Sequence, residues 1–167
     1  MRDAEEIYRV VRENLEELKL WMPWATNDYS IESAREFIKT NLAEFAENNT
    51  SAVAVVEKEK IVGTIGFHHF DAVNKSIQMG YWLDGRAQGK GLITRCCRVL
   101  INHTFDVLKL NRIQINCNVE NIKSRAIPER LGFKLEGIHR QVEWLNDYFR
   151  DWAVYAMLAE EWRQDEK

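Results

Sequence analysis

The sequence is poor in the residues that mark linkers, disulfide frameworks and membrane spans. It has 2 prolines and 8 glycines in 167 residues, and no low-complexity run or internal repeat. No apolar segment is long enough to cross a bilayer, and the N-terminus, rich in Glu and Arg, does not resemble a signal peptide. Its 3 cysteines, two of them the neighbours Cys96 and Cys97, indicate reduced thiols. These features predict one cytoplasmic domain, residues 1–167, with a proper core and no membrane partner.

The net charge of the chain is small, which bears on the partners it can bind. The net charge is −3 and the chain has no basic block. General nucleic-acid binding is therefore disfavoured. The mild acidity is compatible with a cationic ligand, but it does not select one.

The informative stretch runs from Gly80 to Leu108. An apolar strand (Gly80–Asp84) leads into a glycine-rich loop (Gly85–Gly91), and an amphipathic helix follows from Leu92. Glycines let the backbone lie against a ligand, and the first amides of a helix attract anions. Formal positive charge comes from Arg86 and Lys90. The loop therefore predicts a seat for a phosphate or pyrophosphate.

Spacing distinguishes between kinds of phosphate loop. The ATP-type loop needs four residues between its two glycines, and its second glycine is followed by Lys and then Ser or Thr. In this sequence only three residues separate Gly85 from Gly89, and Gly91 stands at the Ser/Thr position. The dinucleotide pattern fails at its third glycine, which is Thr94. What fits is Arg/Gln-x-x-Gly-x-Gly/Ala, present as residues 86–91. That hexapeptide resembles the acyl-CoA loop of the GNAT superfamily of N-acetyltransferases, although an ordinary surface turn would also explain so short a motif.

A coarse pass along the chain predicts the following elements. Helices are expected at Asp3–Leu20, Ile31–Asn48 and Leu92–Leu108. The second helix would begin after Ser30 as its cap and have an apolar face from Ala34 to Phe45. The apolar stripe of the third helix would consist of Ile93, Cys96, Leu100, Thr104 and Val107. Strands are expected at 51–57, 60–70, 76–83, 111–118, 135–144 and 149–158. Tight turns fall at Lys58-Glu59 and Asn146-Asp147, and Glu160–Lys167 is expected to be a frayed tail.

A second motif follows the predicted strand at 111–118. Asn121 can cap a short helix and Gly132 can end it. The run Asn121-x-x-Ser124, then Glu-Arg-Leu-Gly-Phe at 129–133 and Glu136-Gly137, is similar to the second signature of the same superfamily, in particular its RimJ/RimL group. Two independent motifs stand in the order and spacing of the family, which coincidence does not readily explain. The resemblance covers roughly Ser51 to Leu158.

The resemblance implies a mixed α/β fold. Its sheet would be mostly antiparallel, splayed at a central parallel pair, with helices on both faces. It also implies an acetyl-CoA cosubstrate and no metal. By this resemblance, the pyrophosphate would be held by the amides of Gln88, Gly89, Lys90 and Gly91, with Arg86 nearby. The pantetheine arm would pair with Tyr81, Trp82 and Leu83. The pantetheine and thioester would also lie beside Asn121 and Ser124.

This chain departs from the family pattern at two places. Many members use a tyrosine as the general acid, and Pro128 stands there in this sequence. Ser124 is therefore our candidate acid and Glu143 our candidate base, each with the alternative of a plain helix hydroxyl or a solvated carboxylate. The usual first strand is also missing before Asp3, which would leave residues 51–57 as a sheet edge. We expect that edge to be covered by a partner subunit or an ordered neighbour, and the protein to be a homo-oligomer.

The acceptor is the part of the function that the sequence defines least. Trp21, Trp24, His68 and Trp144 are the candidate substrate residues, with core packing as the alternative for the two N-terminal tryptophans. The paired His68 and His69 lack ligand-spaced carboxylates or cysteines, so we interpret them as strand-end residues, one facing in and one out. The RimJ/RimL likeness favours a protein N-terminal amine. A polyamine or other small amine, a non-catalytic CoA-binding module and an unrelated nucleotide-binding domain are the alternatives.

Overall fold

The computed structural model describes residues 3–48 and 51–165. Six helices lie at α1 Asp3–Glu13, α2 Leu15–Leu18, α3 Ile31–Asn48, α4 Leu92–Asn102, α5 Ile122–Arg130 and α6 Ala159–Asp165. Six strands lie at β1 Ala52–Glu57, β2 Lys60–Asp71, β3 Ser76–Leu83, β4 Arg112–Asn118, β5 Lys134–Leu145 and β6 Tyr148–Leu158. A single 3-10 turn, Gly85–Ala87, precedes α4, and a π-helical segment, His103–Val107, continues it. No helix in this described part is both long and apolar enough to cross a membrane.

The strands form one sheet in the order β1-β2-β3-β4-β6-β5. Strands β3 and β4 run parallel, with partners from Ser76 and Arg112 to Gln78 and Gln114. The pairs β1–β2, β4–β6 and β5–β6 are antiparallel. The predicted mixed, mostly antiparallel sheet with one parallel pair is thus confirmed. Strand β1 stands at one end of the order, with Val53 48% and Val56 56% exposed, as expected for a sheet edge.

Two hairpins close through the turns that the sequence predicts. Lys58 and Glu59 have φ of 49° and 65°, and Asn146 and Asp147 have φ of 54° and 63°. Two consecutive residues of positive φ produce the turn whose twist matches that of the flanking strands. The ends of β1–β2 and β5–β6 are therefore fixed by local turn geometry.

The chain divides into two compact units, and the first comprises residues up to Gly66 together with Tyr81–Ile93. Its core is built by the apolar stripe of α1 and α2 (Ala4, Ile7, Val11, Leu15 and Leu18), packed with Ala34 of α3 and Ile61 of β2. Asn14 breaks the predicted single helix into α1 and α2. The predicted apolar face of α3 is wrong in its second half, because Leu42 is 64% and Phe45 54% exposed.

The second unit comprises Phe67–Gly80 and the chain from Thr94 onward. Its core contains Ile77, Ile113, Ile115, Tyr155 and Met157, all less than 2% exposed. The buried face of α4 and its continuation also differs from the predicted stripe.

That buried face is Ile93, Cys97, Ile101, Thr104 and Phe105, so the prediction is confirmed for Ile93 and Thr104, whereas Val107 is 63% exposed. The π-helical turn at His103–Val107 changes the period, so a strict 3.6-residue spacing misplaces the end of the stripe. The predicted frayed tail is also wrong over its described part. It forms α6, whose Trp162 is 4% exposed and donates from Nε1 to Asn102 Oδ1 at 2.6 Å.

Candidate functional site

A buried carboxylate, that of Asp84, directly precedes the glycine loop, Gly85–Gly91. Asp84 is 5% exposed, and its Oδ1 accepts a hydrogen bond from the Arg86 amide at 2.9 Å, which caps the 3-10 turn. The Gly85 amide donates to Asn14 Oδ1 at 3.0 Å, so the break between α1 and α2 also supports the loop. Sequence reasoning missed both supports. An Asp directly after a strand and before a glycine is a local capping signal that could have indicated the first.

The second half of the loop offers its backbone. Gly89 and Gly91 have φ of 75° and 71°, a region in which L residues are strained. Their amides donate to no acceptor within residues 3–48 and 51–165. Helix α4 starts at Leu92, immediately after them. Amides of this kind at a helix start fit a phosphate group, as the sequence predicts.

The loop's two cations, in contrast, are already paired. The Arg86 guanidinium contacts Asp84 Oδ2 at 2.7 Å and also the Glu13 carboxylate, and Lys90 Nζ lies 3.0 Å from Glu57 Oε2. The hydrogen bond from Arg86 lowers the pKa of Asp84, and the same partners raise the pKa of Arg86. Arg86 and Lys90 therefore add less positive potential than their formal charges predict.

The strand end before the loop is held by close backbone contact. Tyr81, Trp82 and Leu83 are half-buried. A Cβ on Gly63 of β2 would lie 2.2 Å from the Trp82 carbonyl oxygen, so this approach needs glycine. Gln88 Nε2 lies 3.4 Å from the Leu83 carbonyl oxygen.

An aromatic cluster surrounds Trp82. Its ring centroid lies 6.0 Å from that of Trp24, which in turn lies 5.8 Å from Tyr29. Burial raises the pKa of Tyr29 to about 12. Trp24 remains 42% exposed, whereas Trp21 is half-buried. The structure thus brings a predicted acceptor residue, Trp24, next to a predicted cosubstrate residue, Trp82.

The second motif forms α5 as its sequence predicts. Asn121 Oδ1 accepts a hydrogen bond from the Ser124 amide at 3.0 Å, and Gly132 follows the helix with φ of 78°. The half-buried Ser124 places its Oγ 3.2 Å from Cys117 Sγ, which is buried on β4. The contact of Ser124 with Cys117 is a feature that sequence spacing did not show.

Next to Pro128 along α5, Glu129 takes part in a polar network that the sequence also did not predict. Pro128 itself is buried. The hydroxyl of Tyr155 on β6 donates to Glu129 Oε1 at 2.6 Å and accepts from Arg125 Nε at 3.0 Å. Burial and the Glu129 hydrogen bond raise the pKa of Tyr155. These bonds tie α5 to β6.

The candidate base lies on β5. Glu143 is half-buried, and its Oε2 accepts a hydrogen bond from Trp152 Nε1 at 3.2 Å. Next to it, Trp144 is 58% exposed and packs edge-on against Phe149, with centroids 4.8 Å apart.

Neither histidine is buried, so the expectation that one of them faces inward is wrong. Both are exposed, and His69 has φ of 52°. The His68 ring lies over Gly80, where a Cβ would come within 2.7 Å of it. Desolvation of the His68 imidazole and the neighbouring His69 lower the pKa of His68. Among the described residues, no group of His, Cys, Asp and Glu could hold a metal ion.

The predicted site residues therefore fall into two groups. The loop residues, Tyr81–Leu83, Trp21 and Trp24 belong to the first unit, and Asn121, Ser124, Glu143, Trp144 and His68 belong to the second. Within its unit each group is locally ordered by capping, turn and strand geometry.

Comparison with known proteins identifies the family. The model of the acetyltransferase (GNAT) domain matches residues 1–134. The chain belongs to the GNAT acetyltransferase family. Accordingly it is an acetyl-CoA-dependent N-acetyltransferase of the RimJ/RimL type, as the two motifs predict.

Two curated relatives and two solved structures illustrate the likeness. The N-acetyltransferase YdaF of Bacillus subtilis is 36% identical over 162 residues, covering 96% of this chain and 88% of that protein. The ribosomal-protein-serine acetyltransferase of Escherichia coli is 30% identical, covering 92% of this chain and 86% of that protein.

Among solved structures, the microcin C7 self-immunity acetyltransferase MccE with acetyl-CoA and AMP has a TM-score of 0.89 at 31% identity, covering 94% of this chain and 87% of that one. RimL, the ribosomal L7/L12 α-N-protein acetyltransferase with coenzyme A, has a TM-score of 0.90 at 26% identity, covering 94% and 89%.

Proposed function

We propose that this GNAT enzyme transfers the acetyl group of acetyl-CoA to the N-terminal α-amine of a protein, of the ribosomal-protein type, in the cytoplasm. The relative at 30% identity is named for a ribosomal-protein serine, and RimL is named for the α-amine of L7/L12. The observation in this chain that carries acetyl-CoA binding is the pair of amides at Gly89 and Gly91, which lack acceptors within the described residues just before α4. A pyrophosphate would complete both hydrogen bonds.

The chemistry needs a neutral amine, stabilisation of the tetrahedral oxyanion and a proton for the departing sulfur. In our proposal Glu143 takes the proton of the ammonium group, and the free nitrogen attacks the thioester carbonyl carbon. The C–N bond forms and the C–S bond breaks. Ser124 gives its proton to the thiolate and regains one from the acylated nitrogen through solvent.

Local contacts support these two roles. Trp152 fixes one oxygen of Glu143 and so orients the carboxylate. Cys117 Sγ lies within hydrogen-bond distance of Ser124 Oγ and fixes the hydroxyl rotamer. Pro128 has no proton to give, which is why the hydroxyl of Ser124 is the proposed acid.

A small amine, such as a polyamine, is the second candidate acceptor. MccE, named for immunity to a microcin, is more similar to this chain in sequence than RimL is, at 31% against 26% identity. The names of these two proteins therefore do not select a ribosomal protein as the acceptor.

Thermal unfolding with acetyl-CoA, and with ATP–magnesium as the control, tests the cosubstrate. Ligand at about a hundred times its dissociation constant should add about 2.7 kcal/mol of stability. A shift with acetyl-CoA alone is expected. An equal shift with ATP–magnesium would contradict the assignment of the loop.

Thiol release then identifies the acceptor. A peptide with a free N-terminal serine should release coenzyme A, the same peptide with a blocked N-terminus should not, and spermidine is the competing substrate. Turnover of spermidine without turnover of the free peptide would make the small amine the acceptor.

Two substitutions separate the enzyme from a non-catalytic module. Glu143→Gln and Ser124→Ala should each lower kcat by about a hundredfold, since proton transfer contributes on that order. Glu44→Gln is the control that should keep kcat, because Glu44 is an exposed carboxylate of α3 outside both motifs. If neither Glu143→Gln nor Ser124→Ala lowers the rate, the assigned roles are wrong.

A further inference from the structure

A cavity of about 420 Å³ opens in the second unit, and none of its lining residues is one that we assign to acetyl transfer. Nine residues line it: Val73, Asn74, Lys75, Phe105, Lys109, Leu110, Asn111, Ala159 and Arg163. None of them belongs to the glycine loop or to the Asn121–Ser124 motif. We call it the basic cavity, because three of the nine are cations and none is a carboxylate. Its volume lies within the range of small-ligand sites.

The three cations come from three different elements. Lys75 ends the β2–β3 turn, Lys109 lies between the π-helical segment and β4, and Arg163 is on α6. None of them forms an ion pair with another residue of the described chain. Like charges that line one cavity repel each other. The net charge of the chain is −3, so an overall excess of cations does not explain this cluster of three. A bound anion would relieve that repulsion.

The backbone around the two lysines is fixed in an uncommon conformation. Lys75 and Lys109 have φ of 50° and 55°. The Lys75 carbonyl oxygen accepts hydrogen bonds from the amides of Asn111 at 2.8 Å and Arg112 at 3.2 Å. The Ala159 amide donates to the Asn111 carbonyl oxygen at 3.0 Å. The start of β4, the β2–β3 turn and the start of α6 are thereby joined, so the two lysines project from a rigid rim.

Arg163, the third cation, is positioned by the contacts that its helix, α6, makes. Trp162, next to Arg163, is buried, donates to Asn102 and lies under the Arg98 guanidinium, 5.6 Å from the ring centroid. Glu161 pairs with Lys134 and accepts a hydrogen bond from the Leu158 amide at 3.1 Å. These contacts fix both sides of Arg163 along the helix.

The lining below the cations is apolar. Phe105 is 1%, Leu110 7% and Ala159 7% exposed, so they form the base of the cavity. Asn74 and Asn111 add amide groups beside the lysines. Asp71, on the same turn, accepts hydrogen bonds from the backbone and side-chain amides of Asn74 at 2.8 and 2.7 Å. The chemistry on offer is thus an apolar base with a ring of donors and positive charge.

We propose that the basic cavity binds the phosphate group of a small phosphorylated compound. Lys75, Lys109 and Arg163 bind the phosphate, and charge-assisted hydrogen bonds from several cations are the usual way to hold such a group. An acceptor amine is cationic and does not fit this lining. The proposal does not depend on the nature of the acetyl acceptor.

The experiment uses the full chain saturated with acetyl-CoA, so that the glycine loop is occupied. AMP and inorganic phosphate are titrated in by calorimetry at low ionic strength, where charge interactions are least screened. The variant carries Lys75→Gln, Lys109→Gln and Arg163→Gln together. Lys58→Gln is the matched control, because Lys58 also has a positive φ, of 49°, and does not line the cavity.

We expect AMP to bind the native chain and the Lys58→Gln control equally, and the triple variant about tenfold more weakly or not at all. The affinity for acetyl-CoA should be the same in all three proteins, which shows that the triple variant is folded. Equal AMP binding by the triple variant would overturn the proposal, as would the absence of binding to the native chain. Binding of a single-stranded RNA, with none of AMP or phosphate, would also overturn it and make the surface an RNA contact.

Discussion

The glycine loop and the basic cavity differ in what surrounds their positive side chains. In the loop, Arg86 and Lys90 are neutralised by Asp84, Glu13 and Glu57, and the groups left for an anion are backbone amides. In the cavity, the three cations have no carboxylate partner among the described residues. A count of formal charges along the sequence therefore identifies the wrong groups in the loop and overlooks the cavity altogether.

The comparison means that the loop is a backbone site whose side chains hold its shape, whereas the cavity is a side-chain site. Substitutions that disturb the loop's backbone should then have large effects. Removing a cation of the loop should have a small one.

The largest effect is expected for Gly63→Ala. The new Cβ would lie 2.2 Å from the Trp82 carbonyl oxygen and 2.9 Å from Leu83 Cα, so β2 and the end of β3 must separate. We expect a loss of about 3 kcal/mol in the free energy of unfolding, measured by urea denaturation. Gly137→Ala is the control, because no atom lies within 4 Å of its Cβ position. A Gly63→Ala variant as stable as that control would show that the strand end is loosely held.

Asp84→Asn comes next. It weakens the bidentate contact to Arg86, and a hydrogen bond to a charged group is worth about 2 kcal/mol. Because the folded-state pKa of Asp84 is depressed, its stabilisation is present above the unfolded-state value of 3.8 and is lost as pH falls below it.

Acid titration of the unfolding free energy checks the role of Asp84. The native protein should lose stability steeply below pH 3.8, and the Asp84→Asn variant less steeply. Parallel curves for the two proteins would assign the acid loss to other carboxylates.

Gly89→Ala should weaken acetyl-CoA binding by about tenfold, because an L residue in the left-handed region costs about 1–2 kcal/mol. The Cβ itself meets no atom within 4 Å, so crowding cannot account for the loss. The dissociation constant is measured by calorimetry, with Gly137→Ala as the matched glycine control. Unchanged affinity would mean that the loop does not need φ of 75° when ligand binds.

The smallest effect is expected for Arg86→Gln. Since Asp84 and Glu13 already balance the guanidinium, its loss should change the dissociation constant of acetyl-CoA by less than about threefold. The same calorimetric titration measures it. A loss larger than that of Gly89→Ala would reverse the comparison and make the loop a side-chain site.

Much of the fold was predictable because local chemistry determines it. Lys58-Glu59 and Asn146-Asp147 close their hairpins, and Asn121 and Gly132 bound α5, each within a few residues of the signal. The parallel pair β3–β4 follows from the need for a crossover between them.

What could not be predicted depends on distant contacts or on a change of period. Glu13 meets Arg86 from 73 residues away, and Cys117 meets Ser124 across an element boundary. The stripe of α4 is misassigned by one residue at Cys97 and Ile101, within the regular helix, and the π-helical residues then shift its end. The helix α6 was missed because its large buried side chain, Trp162, stands in a run of charged residues.

Helix α6 has a practical consequence for handling the protein. Its charged sequence suggests a dispensable end, and shortening the chain at Glu160 would seem harmless. Such a truncation would remove Trp162 from its buried position, leave Asn102 without its indole partner and delete Arg163 from the cavity rim. Expression variants and affinity tags should therefore leave residues 159–165 intact.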